Sequence, residues 1–426
     1  MTPSGWVSQS GVMTRGRIIG LMCLGVVATL ILGLFVSSRI KSTNEVDRQA
    51  ALQPFYTPPT QISGAPGTII RQESLGIDVP GATAIRMLYV TQRFDGTPAV
   101  SSGMVFVPTT PAPPGGRPVV AWAHGTVGGG VQCAPSRSDT PTQPLNGWLP
   151  QMLSLGWIVT ATDYVGLGTP GTEAYLVGQD EARDVVNSVR AARSLANADA
   201  SDRWVVWGHS QGGHASIWTG ELAGSLAPEL HLLGVAAAAP AAELSEIMQA
   251  QWNTPIGWVI GPAVATAWPL VNPSLPTAGI ISQPGLDNTA RLQAACVTDA
   301  AIEAVVREKA GQQYFDVNPS QNPAWFEVAE AQTPKPLPPS MPIMLAQGTG
   351  DDVVLPGPNA LLQNLWCAAG SQITTLWMGG VNHMTAANVA GPAIVPWIND
   401  RFHDIPAGRT CGTKPPVPPT GSVSRP

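Results

Sequence analysis

Short apolar runs of strand length alternate with segments of helical periodicity through most of this chain, and that rhythm leaves few architectures open. Ala84–Val90 and Ser102–Val107 read as antiparallel strands around the turn Asp95-Gly96-Thr97-Pro98. Pro118–Ala123 and Gly156–Ala161 follow, ending near His124-Gly125 and Asp163. Glu181–Ala196 places Val185, Val186, Val189, Ala192 and Leu195 toward one helical face. Trp204–Trp207, Leu232–Ala238, Pro342–Ala346 and Ile373–Trp377 complete the strands. Strands interleaved with helices predict an α/β protein whose mostly parallel sheet is covered on both faces.

The stretch 243–338 breaks the rhythm. It is rich in Pro and Trp, and Ile247–Leu286 contains no Asp, Glu, Lys or Arg. Pro255, Pro262, Pro269, Pro273 and Pro276 oppose a continuous membrane-spanning helix there. An inserted helical cap or lid over the carboxyl edge of the sheet fits better. The expected organisation is an N-terminal signal anchor or signal peptide over 1–41, a polar tether over 42–53 and a core over 54–242. The cap over 243–338 follows, then the second part of the core over 339–412 and a disordered Pro-rich tail over 413–426.

Arg15 and Arg17 precede an uncharged run, Ile18–Ser38, closed by Arg39 and Lys41. About 20 residues suffice for a helix to cross the hydrocarbon layer, and Val36 and Ser38 loosely suit signal cleavage. The segment is therefore an uncleaved anchor or a cleaved signal, and either exports the rest. Apart from Cys23 in this run, the cysteines are Cys133, Cys296, Cys367 and Cys411, with no C-x-x-C pair. That excludes an ordinary zinc site and, in an oxidising compartment, favours two disulfides with three possible pairings. The net charge of −6 offers no footprint for nucleic acid. No cofactor or metal is implied, and the chain reads as a monomer that meets the membrane only through its N-terminus.

Gly208-His209-Ser210-Gln211-Gly212-Gly213 follows a predicted strand and precedes a predicted helix, Gly213–Glu221. Gly-x-Ser-x-Gly in that setting is a nucleophile elbow, as found in the α/β-hydrolase fold. Ser210 needs a base within hydrogen-bond reach. In the chain order serine, acid, histidine, His383 in the loop after Ile373–Trp377 is the candidate base. Asp351 is the preferred acid over its neighbour Asp352, because Gly348-Thr349-Gly350 places it at the turn after a strand. His209 and His214 read as structural, and His231 as solvated. The backbone N–H groups of Gln211 and Thr126 are the candidate oxyanion donors, with the Thr126 hydroxyl as a possible third. Trp252, Trp258 and Trp268 offer either apolar surface for an acyl chain or plain core. A lipid or small-molecule carboxylic ester is the expected substrate. The same triad serves an amidase, peptidase or thioesterase, and a non-catalytic cell-envelope binding protein is the third alternative.

Phe55-Tyr56-Thr57-Pro58-Pro59, His124-Gly125-Thr126, Cys133-Ala134-Pro135-Ser136, Asp163-Tyr164-x-Gly166-Leu167-Gly168 and the Ser210 elbow together resemble the secretory lipase family, of the yeast lipase A type. The resemblance runs from about Phe55 to Cys411. It implies an α/β-hydrolase fold with a helical lid, acting on carboxylic esters and acylglycerols. It also implies the pairings Cys133–Cys296 and Cys367–Cys411. In the yeast enzyme an acidic side chain lies near the oxyanion site, where this chain has His-Gly-Thr.

Overall fold

The computed structural model describes residues 44–426. The N-terminal anchor or signal therefore lies outside the described residues. The chain divides into two compact units, Met1–Pro54 and Phe55–Pro426. In the first, the segment read as a polar tether is helical from residue 44 onward. Glu45 accepts hydrogen bonds from Arg48 and Gln49, the i,i+3 and i,i+4 pairs that support an exposed helix.

The second unit is built on nine strands: β1 (Ile69–Ser74), β2 (Ala82–Gln92), β3 (Pro98–Pro108), β4 (Arg117–Ala123), β5 (Ile158–Thr162), β6 (Ala200–His209), β7 (His231–Ala238), β8 (Ile343–Gly348) and β9 (Ile373–Met378). They form one sheet in the order β1-β2-β3-β5-β4-β6-β7-β8-β9. β1, β2 and β3 are antiparallel, as is the β3–β5 pair, and every pair beyond β5 is parallel. β1 has no counterpart in the sequence reading, because its half-exposed Ile-Ile-Arg-Gln-Glu-Ser carries only two apolar residues.

Both faces of the central strands are buried, so each strand sends alternate side chains into two cores. Val119, Ala121, Trp204 and Val206 enter one, packed with helices α2 (Gly178–Ser194), α3 (Gln211–Leu226) and α9 (Pro356–Ala368). Val120, Trp122, Val205 and Trp207 enter the other, beneath α1 (Leu149–Ser154) and α10 (Ala386–Phe402).

Between β7 and β8 the chain leaves the sheet and builds a cap of five helices: α4 (Leu244–Gln251), α5 (Pro255–Ala267), α6 (Gln283–Gln293), α7 (Val297–Lys309) and α8 (Pro323–Gln332). The cap has its own apolar centre, in which Trp258, Trp268, Tyr314, Phe315 and Trp325 are buried. Among the described residues no helix is long and apolar enough to cross a membrane. Cys133 is bonded to Cys296, and Cys367 to Cys411. Residues 413–426 form no helix or strand. Yet they run along the surface: Gln363 donates to the Thr413 carbonyl, Thr420 N to Gly357 and Val423 N to Glu246, and Arg425 pairs with Glu327.

Candidate active site

β6 ends at His209 and α3 starts at Gln211, so the whole strand-to-helix turn is carried by Ser210, at φ 58° and ψ −119°. A non-glycine residue held there costs about 1–3 kcal/mol, tolerated only where the surroundings enforce it. The flanking glycines show why no side chain fits beside it. A Cβ on Gly208 would meet the Gly212 carbonyl at 2.1 Å, and one on Gly212 would meet the Ala123 carbonyl at 1.9 Å. Strand, turn and helix are thereby pressed against the end of β4, and Ser210 stands at the carboxyl edge of the sheet, where open α/β sheets bind ligands.

His383 follows β9, and its Nε2 lies 2.9 Å from Ser210 Oγ. Its Nδ1 lies 2.8 Å from Asp351 Oδ2. The other carboxyl oxygen, Oδ1, accepts from Val353 N and Val354 N, both at 3.0 Å. Those two bonds orient the carboxyl, which orients the imidazole. Ser210, Asp351 and His383 are all buried. Asp352, the alternative acid, is exposed, and its contribution is a carbonyl that accepts from Gln251 Nε2.

His209, read as purely structural, adjoins this chain. Its Nε2 lies 3.0 Å from the His383 carbonyl, and the two rings are 4.7 Å apart. Desolvation, and then the adjacent His383, push its pKa down to about 3, against a smaller upward pull from the hydrogen bond. At neutral pH it is therefore an uncharged ring donating to the His383 carbonyl.

On the other flank of Ser210 lies the loop after β4. A Cβ on Gly125 would come within 3.3 Å of Ser210 Cβ, so the loop abuts the serine. Gln211 opens α3, and its N–H belongs to the first turn, where no intrahelical acceptor exists. The Thr126 hydroxyl is 2.8 Å from Tyr175 OH, and either oxygen can be the donor. Further along, Gly128, Gly129 and Gly130 lie flat against the cap. Added Cβ atoms would fall 2.3 Å from Ala295 O, 2.0 Å from Gln293 Nε2 and 2.4 Å from Ala294 O. Val297 N donates to Val127 O, and the Cys133–Cys296 bond closes the junction.

A cleft opens at Ser210 beneath the cap. Its walls are almost wholly apolar, with Leu244, Ile247, Met248, Trp252, Ile260 and Trp268 prominent. Trp252 and Trp268 thus face the cleft, whereas Trp258 is core, donating to Gln312 O and covered by Arg307. The sequence reading missed Tyr175, Glu173 and Glu181. Gln211 Nε2 is 2.9 Å from Glu173 Oε1 and 3.1 Å from Glu181 Oε1, and His214 Nδ1 is 2.7 Å from Glu181 Oε2. Nothing local in the sequence singles these residues out, and only the fold brings them to the elbow.

Solved structures share this fold. Lipase A of Candida antarctica in its closed state superposes with a TM-score of 0.67 at 18% identity, covering 88% of this chain and 90% of that one. The rice cell wall degrading esterase LipA of Xanthomonas oryzae gives 0.65 at 20% identity, covering 80% and 100%. Among sequences, lipase 5 of Candida albicans is 25% identical over 408 residues, 88% of this chain and 85% of that protein. A probable inactive lipase of Mycobacterium tuberculosis is 26% identical over 378 residues, 83% and 82% of the two chains. The secretory lipase family is matched over residues 139–410, a span that holds the elbow, the cap, Asp351 and His383. The chain belongs to the secretory lipase family, a group of lipase-like ester hydrolases with the α/β-hydrolase fold.

Proposed function

We propose that this protein is an exported serine hydrolase of carboxylic esters that works through an acyl-enzyme. The observation that carries the reading is the unbroken hydrogen-bonded chain from Ser210 Oγ through the His383 ring to Asp351. Ser210 attacks the ester carbonyl as His383 Nε2 takes its proton, and Asp351 stabilises the imidazolium. The N–H groups of Gln211 and Thr126 receive the negative charge on the carbonyl oxygen. His383 then returns the proton to the departing alcohol, and water, activated by the same ring, releases the acid.

The cleft supports an acyl substrate. Each buried CH₂ contributes about 0.8 kcal/mol, and a lining this poor in polar groups has little to offer a charged or peptide-like ligand. Export is supported by two disulfides and by family membership. The segment 18–38 is proposed to direct it, as anchor or signal.

A fluorophosphonate probe tests the reading. The wild type should be labelled and should hydrolyse p-nitrophenyl esters, and Ser210→Ala should abolish both. The probable inactive relative favours a second reading, a binding protein on the same scaffold. Absence of labelling in a folded wild type would favour that alternative.

A further inference from the structure

The side chain of Gln211 is held more firmly than a helix's first residue requires. It is 1% exposed, and its amide nitrogen is shared between two buried carboxyl groups, Glu173 Oε1 at 2.9 Å and Glu181 Oε1 at 3.1 Å. Both amide hydrogens are used, and the amide oxygen is left without a partner among the described residues. Glu181 is itself anchored, by Leu176 N at 3.1 Å and by His214 Nδ1 at 2.7 Å. His214 is seated against the Gln332 carbonyl at 2.8 Å, so the grip reaches back to the cap's last helix, α8.

We propose that Glu173 and Glu181 are positioning residues for the oxyanion site, fixing the Gln211 N–H by clamping both hydrogens of its side-chain amide. The inference rests on the reading of Ser210 and Gln211 given above. A side chain clamped at two points cannot rotate, so the first peptide of α3 cannot rock. The N–H therefore keeps its aim without reorganising as charge develops.

Two carboxyl groups converging on one buried nitrogen favour a single negative charge. Burial above all, and then Glu181 nearby, push the Glu173 pKa up to about 8, against the opposing effect of the Gln211 hydrogen bond. Below that pH Glu173 is an uncharged acid, accepting from Gln211 through Oε1. Above it, a second negative charge arises beside the place where the substrate oxygen becomes negative. The charge opposes the transition state and not the bound ester, so it lowers kcat and leaves KM largely unchanged. The titratable groups facing Glu173 are Glu181 on α2, Tyr164, Tyr175 and, through Glu181, His214 on α3 and His124. Burial raises both tyrosines far above this range and lowers His124 below it. The cap residues opposite Glu173, such as Val259, Ala263 and Leu292, carry no charge.

The experiment compares wild type, Glu173→Gln and Glu173→Leu in p-nitrophenyl ester hydrolysis from pH 6 to about 10, a range chosen to bracket the shifted acid. Wild-type kcat should fall about tenfold as pH rises through 8, to a lower plateau. Glu173→Gln, isosteric and unable to ionise, should remove that alkaline limb. Glu173→Leu should lower kcat about tenfold at pH 7 with KM little changed, a loss of about 1.4 kcal/mol of transition-state stabilisation. If Glu173→Leu fails to fold, the pH profile of Glu173→Gln decides alone. An active wild type whose alkaline limb survives in Glu173→Gln overturns this inference only. A folded wild type that is neither labelled nor active overturns the reading of Ser210, and this inference with it.

Discussion

Ser210 is approached from two sides that are built differently. The His383 side is nearly self-contained: β8, β9 and the loops after them supply the imidazole, the carboxyl and its two N–H donors, the cap reaches it through Gln251, which donates to the Asp352 and Val353 carbonyls, and the Cys367–Cys411 bond stays within the core. The Thr126 side is not. Its loop is pressed by three glycines onto the cap and bonded to it through a disulfide that spans 163 residues, against 44 for the other. On the proposed mechanism, proton transfer belongs mainly to the sheet, while the surroundings of the developing oxyanion depend on an insertion in the sheet. Disturbing the cap should therefore impair catalysis without disarming the base.

The steepest losses should come from the His383 side. His383→Ala should lower kcat by about 10⁶, and Asp351→Asn by about 10⁴, through the wrong imidazole tautomer. Asp352→Asn, on an exposed side chain, should change activity by no more than about twofold, an effect within about 0.5 kcal/mol. Equal losses in the two asparagine variants would remove Asp351 from its assigned place. Next come the disulfides. Loop closure alone assigns about 5 kcal/mol to Cys133–Cys296 and about 4 kcal/mol to Cys367–Cys411, so paired serine substitutions should both lower the melting temperature. Only Cys133→Ser with Cys296→Ser should also lower kcat, by about 10- to 100-fold, as expected when a catalytic donor drifts by an ångström. Similar kcat in both pairs would erase the distinction between the two flanks.

Cleft selectivity should be affected less. Ile260→Trp, in the cap wall, should shift preference from long to short acyl esters by about 10-fold, at the low end of what one pocket contact discriminates. A chain-length panel reads this directly. The smallest effect at neutral pH concerns His209. Its folded pKa of about 3 lies below the ordinary value of 6.5. The unfolded chain thus binds the extra proton first, and stability falls as pH drops from 6.5 toward 3. His209→Gln should flatten that part of a melting-temperature profile.

Much of this architecture was legible in the residues. A strand buried on both faces reads as a continuous apolar run, which is why β4, β6 and β7 stand out, whereas β1, half exposed at the sheet edge, does not. Glycines on both sides of Ser210 marked a turn too tight for side chains, and chain order pointed to His383. The choice between Asp351 and Asp352 is a matter of which way a carboxyl faces, and adjacent residues differ in that only once the loop is folded. Gly128-Gly129-Gly130 carried a signal of close approach, but nothing local names Gln293, Ala294 and Ala295, far along the chain, as the partners. The Gln211 clamp was illegible for the same reason, since Glu173, Glu181 and His214 meet from three different segments.

The course of the last fourteen residues bears on how the protein is handled. Hydrogen bonds and an ion pair tie them first to α9, then to Glu246 on α4 and Glu327 on α8. An affinity tag or fusion partner joined after Pro426 would hang from a strap stitched to the roof of the apolar cleft. Purification handles belong elsewhere, and a C-terminally tagged preparation compared with an untagged one would reveal how much of the cap's order the strap supplies.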